Sequence, residues 1–491
     1  MARSGRGLDI APPLIEAHVR VLSPDALAFI DALAQFLPPP PSSESIPTSF
    51  QQRTAAIRAA AWKAPLPARE FQDLRTGLLA PLHRPGLLGA LNSGARLCLA
   101  DLCDATSWQW DSLMAGQANL MDRWTSAMEH VHPETGKRMS LPQRLPALML
   151  RVRPLQAEEP RVKSWGQSLP AGLFDAALYL FHSAKTSLAK ASGPYLCLTG
   201  VSSRTQARRW NDGLVAAQSL LGLPAGTVRV MVSIDTPGGL WDVDEILHEL
   251  RDHVAAVSSG GHRLALACAR LALSRRGGTL PDPFLIEQAV SAHLVRTAHR
   301  RGIPAISAAM RTDAKEEAAR AVRSGWDGLI LSGPEEVGPA ARVLNDGMPT
   351  PNQIYVTRDE APELAESFAE VPGPAPDEEL FRAAIREALF TFENWLSGRS
   401  SGGRTDLSRA EFNVLAAWHW IKRGTRLSAD RRAGEAFYED VMLGILKQLR
   451  AELGEEQYRL GRYRDAVILL RSLVLSKELP ASFPILAARK F

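Results

Sequence analysis

At 491 residues the chain is long enough for two or three domains around a sizeable core, and its 45% hydrophobic and 22% charged content is that of an ordinary globular protein. Its 57 basic against 53 acidic residues leave a formal charge of +4, too mild a balance, with no long basic run, to suggest nucleic acid as a partner. No apolar stretch reaches the ~18 residues needed to cross a bilayer. The four cysteines, Cys98, Cys103, Cys197 and Cys268, have neither metal-ligand spacing nor a disulfide framework, so a reducing, cytoplasmic setting is expected.

Residues 1–90 read as an N-terminal helical segment, interrupted by a Pro-Ser linker at 38–43 and a Trp-Lys-Ala-Pro turn at Trp62–Pro65. From 91 to 370 the character changes. Short apolar runs at 96–102, 147–152, 195–201, 228–234, 254–257, 303–308 and 328–331 are each followed by a helical segment. The stretch 227–263 shows the pattern most fully. Alternating Val228, Val230, Val232 and Ile234 end on Asp235, a Pro-Gly-Gly turn follows, and Ile246, Leu247 and Leu250 share one helix face. A second apolar run then leads through Ser-Ser-Gly-Gly to His262 and Arg263. Roughly eight such units over about 240 residues fit a (β/α)8 TIM barrel, whose chemistry sits at strand C-termini. A doubly wound sheet also alternates, but no Gly-x-Gly-x-x-Gly turn follows the first strand. A Pro-Gly-Pro break at 371–376 marks a boundary, and 371–491 reads as an all-helical C-terminal domain.

Four strand-end features can carry chemistry: Asp101-Leu-Cys103-Asp104, Arg151-Val-Arg153, Asp235 and Arg263. Acids gathered at a barrel mouth bind a cation or share a proton. Arginines match them in number here, and planar guanidinium forks suit a carboxylate or a phosphate. Structural ion pairing competes with function at each position. Cys103 reads as a small apolar filler rather than a nucleophile, and His182 and His262 as hydrogen-bonded core or loop residues.

Laid out together, these segments resemble malate synthase of the shorter, A type, over nearly the whole chain. The resemblance is carried by 22–29 (Leu-Ser-Pro-Asp-Ala-Leu-Ala-Phe), Trp62-Lys63, Ala90-Leu-Asn-Ser-Gly-Ala95 and the run from Asp104-Ala-Thr-Ser-Trp to Gly116-Gln-Ala-Asn-Leu-Met-Asp122. It continues through Ala207-Arg-Arg-Trp-Asn-Asp212, Asp244-Glu-Ile-Leu-His-Glu-Leu-Arg251, His299-Arg-Arg-Gly302, Pro351-Asn-Gln353 and Trp418-His-Trp-Ile421. The resemblance implies a Claisen-type condensation of acetyl-CoA with glyoxylate or a related 2-keto acid, then thioester hydrolysis to malate and CoA. It also implies a carboxylate base, an enolate-stabilising arginine and Mg²⁺ holding the keto acid.

Carried over by position, the implied base is Asp406, in Thr405-Asp406-Leu-Ser-Arg-Ala-Glu411, and the enolate arginine is Arg151. The two principal metal-ligand positions, a Glu after Leu-Ile and the Asp of Gly-Arg-Trp-Asp, fall on Asp235 and Arg263. The acid cluster of the first strand lacks its Glu, which is Cys103. Two unit charges ~4 Å apart interact by about 4 kcal/mol at an effective dielectric near 20, so exchanging a ligand carboxylate for a guanidinium costs a divalent ion on the order of 10 kcal/mol. The expectation is that Mg²⁺ is lost or weakened, that Arg263 grips the keto-acid carboxylate bidentately, and that Arg153 and Asp104 help bind substrate. The alternative is a catalytically degenerate paralogue serving as a binding or regulatory protein. A citrate-lyase β type fits less well, since the long C-terminal domain with Asp406 belongs to malate synthases.

Overall fold

The protein, a computed structural model, is described over residues 7–12, 15–39, 41, 44–65, 68–125, 128–133, 135–275, 277–310, 313–356, 372–373, 375–398 and 406–490. Eight parallel strands close into a barrel in chain order: β1 (Thr76–Ala80), β2 (Leu97–Asp101), β3 (Ala147–Arg151), β4 (Tyr195–Leu198), β5 (Arg229–Ile234), β6 (Val254–Ser259), β7 (Ala305–Ala308) and β8 (Gly328–Leu331), with β8 pairing back to β1. The (β/α)8 architecture expected from the alternation is therefore the fold. Because side chains alternate across a strand, Leu97, Leu99 and Asp101 of β2 point one way, as do Ala147, Met149 and Arg151 of β3. The apolar members fill the barrel interior with Tyr195, Cys197, Met231, Ile306 and Ile330. The same parity brings Asp101 and Arg151, direct partners in the β2–β3 register, to the mouth. The opposite parity (Cys98, Ala100, Leu148, Leu150) packs into the larger core beneath the surrounding helices.

Seven of the strands fall on the runs read from the sequence. The eighth, β1, lies inside the segment read as helical, so the barrel begins at Thr76 rather than at 91. Ahead of it, a helix at Pro24–Ala34 packs on the barrel helix Ala171–Ala189, and Asp9–Ile10 joins Glu158–Ser164 and Gln167–Pro170 in a small antiparallel sheet. The expected boundary at 370–371, together with Pro40, Ser42 and Ser43 of the linker, lies outside the described residues.

After β6 the chain enters α1 (His262–Ser274) through Gly260-Gly261. A Cβ on Gly260 would lie 2.5 Å from the Cα of Asp235, and Gly261 has φ +53° with Ala308 Cβ 2.8 Å from where its own Cβ would be. Only glycine lets the loop pass this close to β5 and β7. That passage delivers His262 and Arg263 to the mouth. α2 (Pro283–Arg300) completes this unit. The C-terminal region is helical: α3 (Glu378–Ser397), α4 (Leu407–Arg423), α5 (Glu435–Leu453) and α6 (Tyr463–Val474) share a core of Phe381, Ile385, Phe392, Val414, Tyr438 and Leu470. α4 packs on α1, and its N-cap is Asp406, whose Oδ1 accepts the Arg409 backbone N–H at 3.0 Å. The cap that starts the helix thus stands over the barrel mouth.

Candidate active site

A cavity of about 670 Å³ opens at the C-terminal ends of the strands, lined by Asp101, Asp104, Arg151, His262, Arg263 and Asp406, with Leu78, Leu99 and Ile330 among its apolar walls. Its polar floor is one chain of ion pairs. Nη1 of Arg151 donates to Oδ1 of Asp101 at 3.0 Å and to Oδ2 of Asp104 at 2.7 Å. Nη1 of Arg263 donates to the other oxygen of Asp104 at 2.9 Å, and its Nε donates to Oδ2 of Asp235 at 3.2 Å. The outer carboxylates are held from behind. Asp101 accepts the backbone N–H groups of Cys103 (2.8 Å) and Ala105 (3.0 Å), and Asp235 accepts that of Gly200 (2.9 Å). Ser408, from the first turn of α4, donates to Oδ1 of Asp104 at 3.2 Å and ties the helical cap to the floor.

Burial pushes the Asp101 carboxyl up, against the pull of Arg151. Burial also works against ionisation of Asp104, but the Arg263 and Arg151 guanidiniums outweigh it and hold that carboxyl below its usual range. Burial pushes the Cys103 thiol up to about 12, so it stays protonated and acts as the apolar filler read from the sequence.

Asp235 and Arg263 meet, as their positions implied, but as partners of each other. Two N–H groups of Arg263 are committed to Asp104 and Asp235, which leaves the second N–H of Nη1 and both of Nη2, the latter nitrogen having no acceptor among the described residues. Arg151 likewise commits one nitrogen to protein carboxylates. The residues present do not fit Mg²⁺: the carboxylates that would ligate it are bridged by guanidinium N–H donors, and among the described residues no group of three or more His, Cys, Asp and Glu is arranged to hold a metal.

Arg153 is not at the site. It is 1% exposed, its guanidinium donates to Asp175 (2.7 Å) and Glu159 (3.0 Å), and it lies over the Trp108 ring. The expectation that it binds substrate is corrected: the alternation that aims Arg151 inward ends with β3, and Arg153 lies in the loop beyond. Arg153→Met is expected to lower the unfolding free energy by about 3–5 kcal/mol, by leaving the buried Asp175 without its cation while Glu159 keeps Arg161, and KM of the folded enzyme should stay within about twofold. Urea denaturation and steady-state kinetics check the two halves.

The residue that sequence reading placed as an ordinary hydrogen-bonded histidine is His262. Its Nδ1 lies 2.6 Å from Oδ2 of Asp406, and its ring lines the cavity. Burial works against ionisation of Asp406, but the His262 charge and hydrogen bond and the Arg409 N–H bring its carboxyl down to about 2. His182, by contrast, bonds the Val21 carbonyl at 2.7 Å, away from the mouth.

A closed parallel barrel, with an acid–guanidinium cluster at the strand C-termini and a carboxylate brought over it by a separate helical domain, defines a TIM-barrel enzyme with a capped mouth. Residues 147–368 match the family described as malate synthase, TIM barrel domain. The chain is 31% identical to malate synthase A of Escherichia coli (strain K12), across 88% of this chain and 85% of that one. It is 29% identical to the malate synthase of Myxococcus xanthus (93% and 91% covered) and 30% identical to that of Streptomyces clavuligerus (87% and 85% covered). The chain belongs to the malate synthase family.

Proposed function

We propose that the protein condenses acetyl-CoA with glyoxylate, or a closely related 2-keto acid, and hydrolyses the resulting thioester to release malate and CoA. The observation that carries this is one cavity lined both by the Asp406–His262 pair on the cap side and by Arg151 on the barrel floor. Claisen chemistry needs these two elements facing one another: a base for a weakly acidic α-proton, and a fixed cation where the enolate oxygen forms. Arg151 spends a single nitrogen on its carboxylate partners, and its remaining N–H groups, with no acceptor among the described residues, can meet the thioester oxygen. Nη2 of Arg263 is offered to the keto acid. Acetyl-CoA is the cosubstrate. The family implies Mg²⁺, but no step is assigned to it at this mouth.

All four cysteines are free and buried, which suits a reducing, cytoplasmic setting. No helix among the described residues is long and apolar enough to cross a membrane.

Release of free CoA, followed with acetyl-CoA and a panel of 2-keto acids, tests the proposal. Turnover with glyoxylate or a near homologue, reduced at least 10²-fold in Asp406→Asn, is expected; acetyl-CoA binding with no CoA released from any keto acid would identify a binding protein instead.

A further inference from the structure

We infer that, within the proposed Claisen reaction, the group that takes the acetyl proton is Nε2 of His262, and that Asp406 positions the imidazole rather than acting on substrate itself. The inference rests on the function proposed above and goes one step further into the same site.

Three observations support it. A carboxylate oxygen 2.6 Å from Nδ1 can only accept, so Nδ1 carries a proton, and in the neutral ring the lone pair then falls on Nε2. Nε2 has no partner among the described residues, is not one of the buried polar atoms sealed from solvent, and belongs to a ring lining the 670 Å³ cavity. Both Asp406 oxygens are engaged, Oδ2 by His262 and Oδ1 by the Arg409 N–H. Hydrogen bonds to both of its oxygens stabilise the Asp406 carboxylate and so weaken it as a base. Where the resemblance places Gly-Arg-Trp-Asp, this chain reads Gly260-Gly261-His262-Arg263, so an imidazole stands at the position of that motif's tryptophan.

Asp406, the N-cap of α4, bonds His262 directly and is itself held by Arg409; Glu287 of α2 interacts with the ring at longer range, and Arg263 is next to it on α1. In the step itself, the Nε2 lone pair takes a methyl proton and the C–H electron pair becomes the enolate double bond. The thioester π pair moves onto oxygen beside Arg151. The enolate carbon then bonds to the glyoxylate aldehyde carbon, and the imidazolium returns its proton to the alkoxide so formed. Water hydrolyses the thioester, with CoA as leaving group.

The experiment follows CoA release and the exchange of acetyl methyl protons with D2O for the wild type, His262→Gln, Asp406→Asn and His262→Ala with added imidazole. Wild-type kcat/KM should fall as pH is lowered, and His262→Gln should remove that acid limb. His262→Gln should lose at least ~10²-fold in both readouts, and imidazole should restore His262→Ala in proportion to its concentration, which a merely structural role would not allow. Asp406→Asn should lose less exchange than His262→Gln and should shift the acid limb. Turnover by His262→Gln within threefold of wild type, or an acid limb in the carboxylate range, would overturn the inference and return the base role to Asp406, leaving the proposed function intact. Absence of both turnover and exchange in the wild type would overturn the two together.

Discussion

Arg151→Met is expected to lower kcat by about 10²–10³-fold, the loss usually seen when one preorganised oxyanion donor is removed from a water-poor site. The effect should fall on kcat more than on KM, because the thioester oxygen carries full charge only as the enolate forms. Stability should fall as well. Asp101 is fully buried and Asp104 nearly so, and both accept from the same nitrogen of Arg151. Removing the cation of Asp101, and one of the two that hold Asp104, while they remain ionised costs about 3–5 kcal/mol. Arg151→Lys separates the two effects: a lysine ammonium can satisfy the carboxylates but cannot also present a second, rigidly placed donor to the enolate. Near-wild-type melting with turnover still depressed at least tenfold is the expected outcome for the lysine variant. Equal recovery of both would mean that Arg151 is purely structural.

The second large effect is expected from Arg263→Asp combined with Asp235→Glu, which restores carboxylates at both positions where the family places its metal ligands. Wild-type Arg263 neutralises Asp104 and Asp235 at 2.9 and 3.2 Å. Replacing it with an acid puts three carboxylates around one point, and each like-charge pair about 4 Å apart costs about 4 kcal/mol at an effective dielectric near 20. In metal-free buffer the double variant should be destabilised by at least 3 kcal/mol. Millimolar Mg²⁺ should recover much of that loss, because an ion bound by the folded state alone stabilises by mass action. Thermal melts with and without Mg²⁺, with titration calorimetry, read this directly. A variant indifferent to Mg²⁺ would show that Arg263 does not stand where a cation would.

The barrel was legible because strands covered on both faces are nearly continuous apolar runs, and the strand-end charges stood out against them. β1 escaped notice for the same reason in reverse: Thr76-Gly-Leu-Leu-Ala80 is short, contains glycine and has one β-branched residue, so nothing sets it apart from its helical surroundings. Asp101, Arg151, Asp235 and Arg263 could be assigned to the mouth because alternation or a position just past a strand aims them there. Which of them pair could not be read, since Arg263 meets Asp104 across 159 residues of sequence. Arg153 shows the limit of the pattern, two residues from Arg151 yet committed to Asp175 and Glu159. His262 shows the other limit. A histidine after Gly-Gly is unremarkable until a helix cap 144 residues away places a carboxylate 2.6 Å from its ring.

The central claim is that a guanidinium holds together the acids of a mouth that still carries out enolate chemistry. It is tested most directly by CoA release from acetyl-CoA and glyoxylate before and after exhaustive treatment with EDTA. Turnover unchanged by the chelator, with no gain on adding Mg²⁺, is the expected result. Turnover that disappears with EDTA and returns with Mg²⁺ would contradict it.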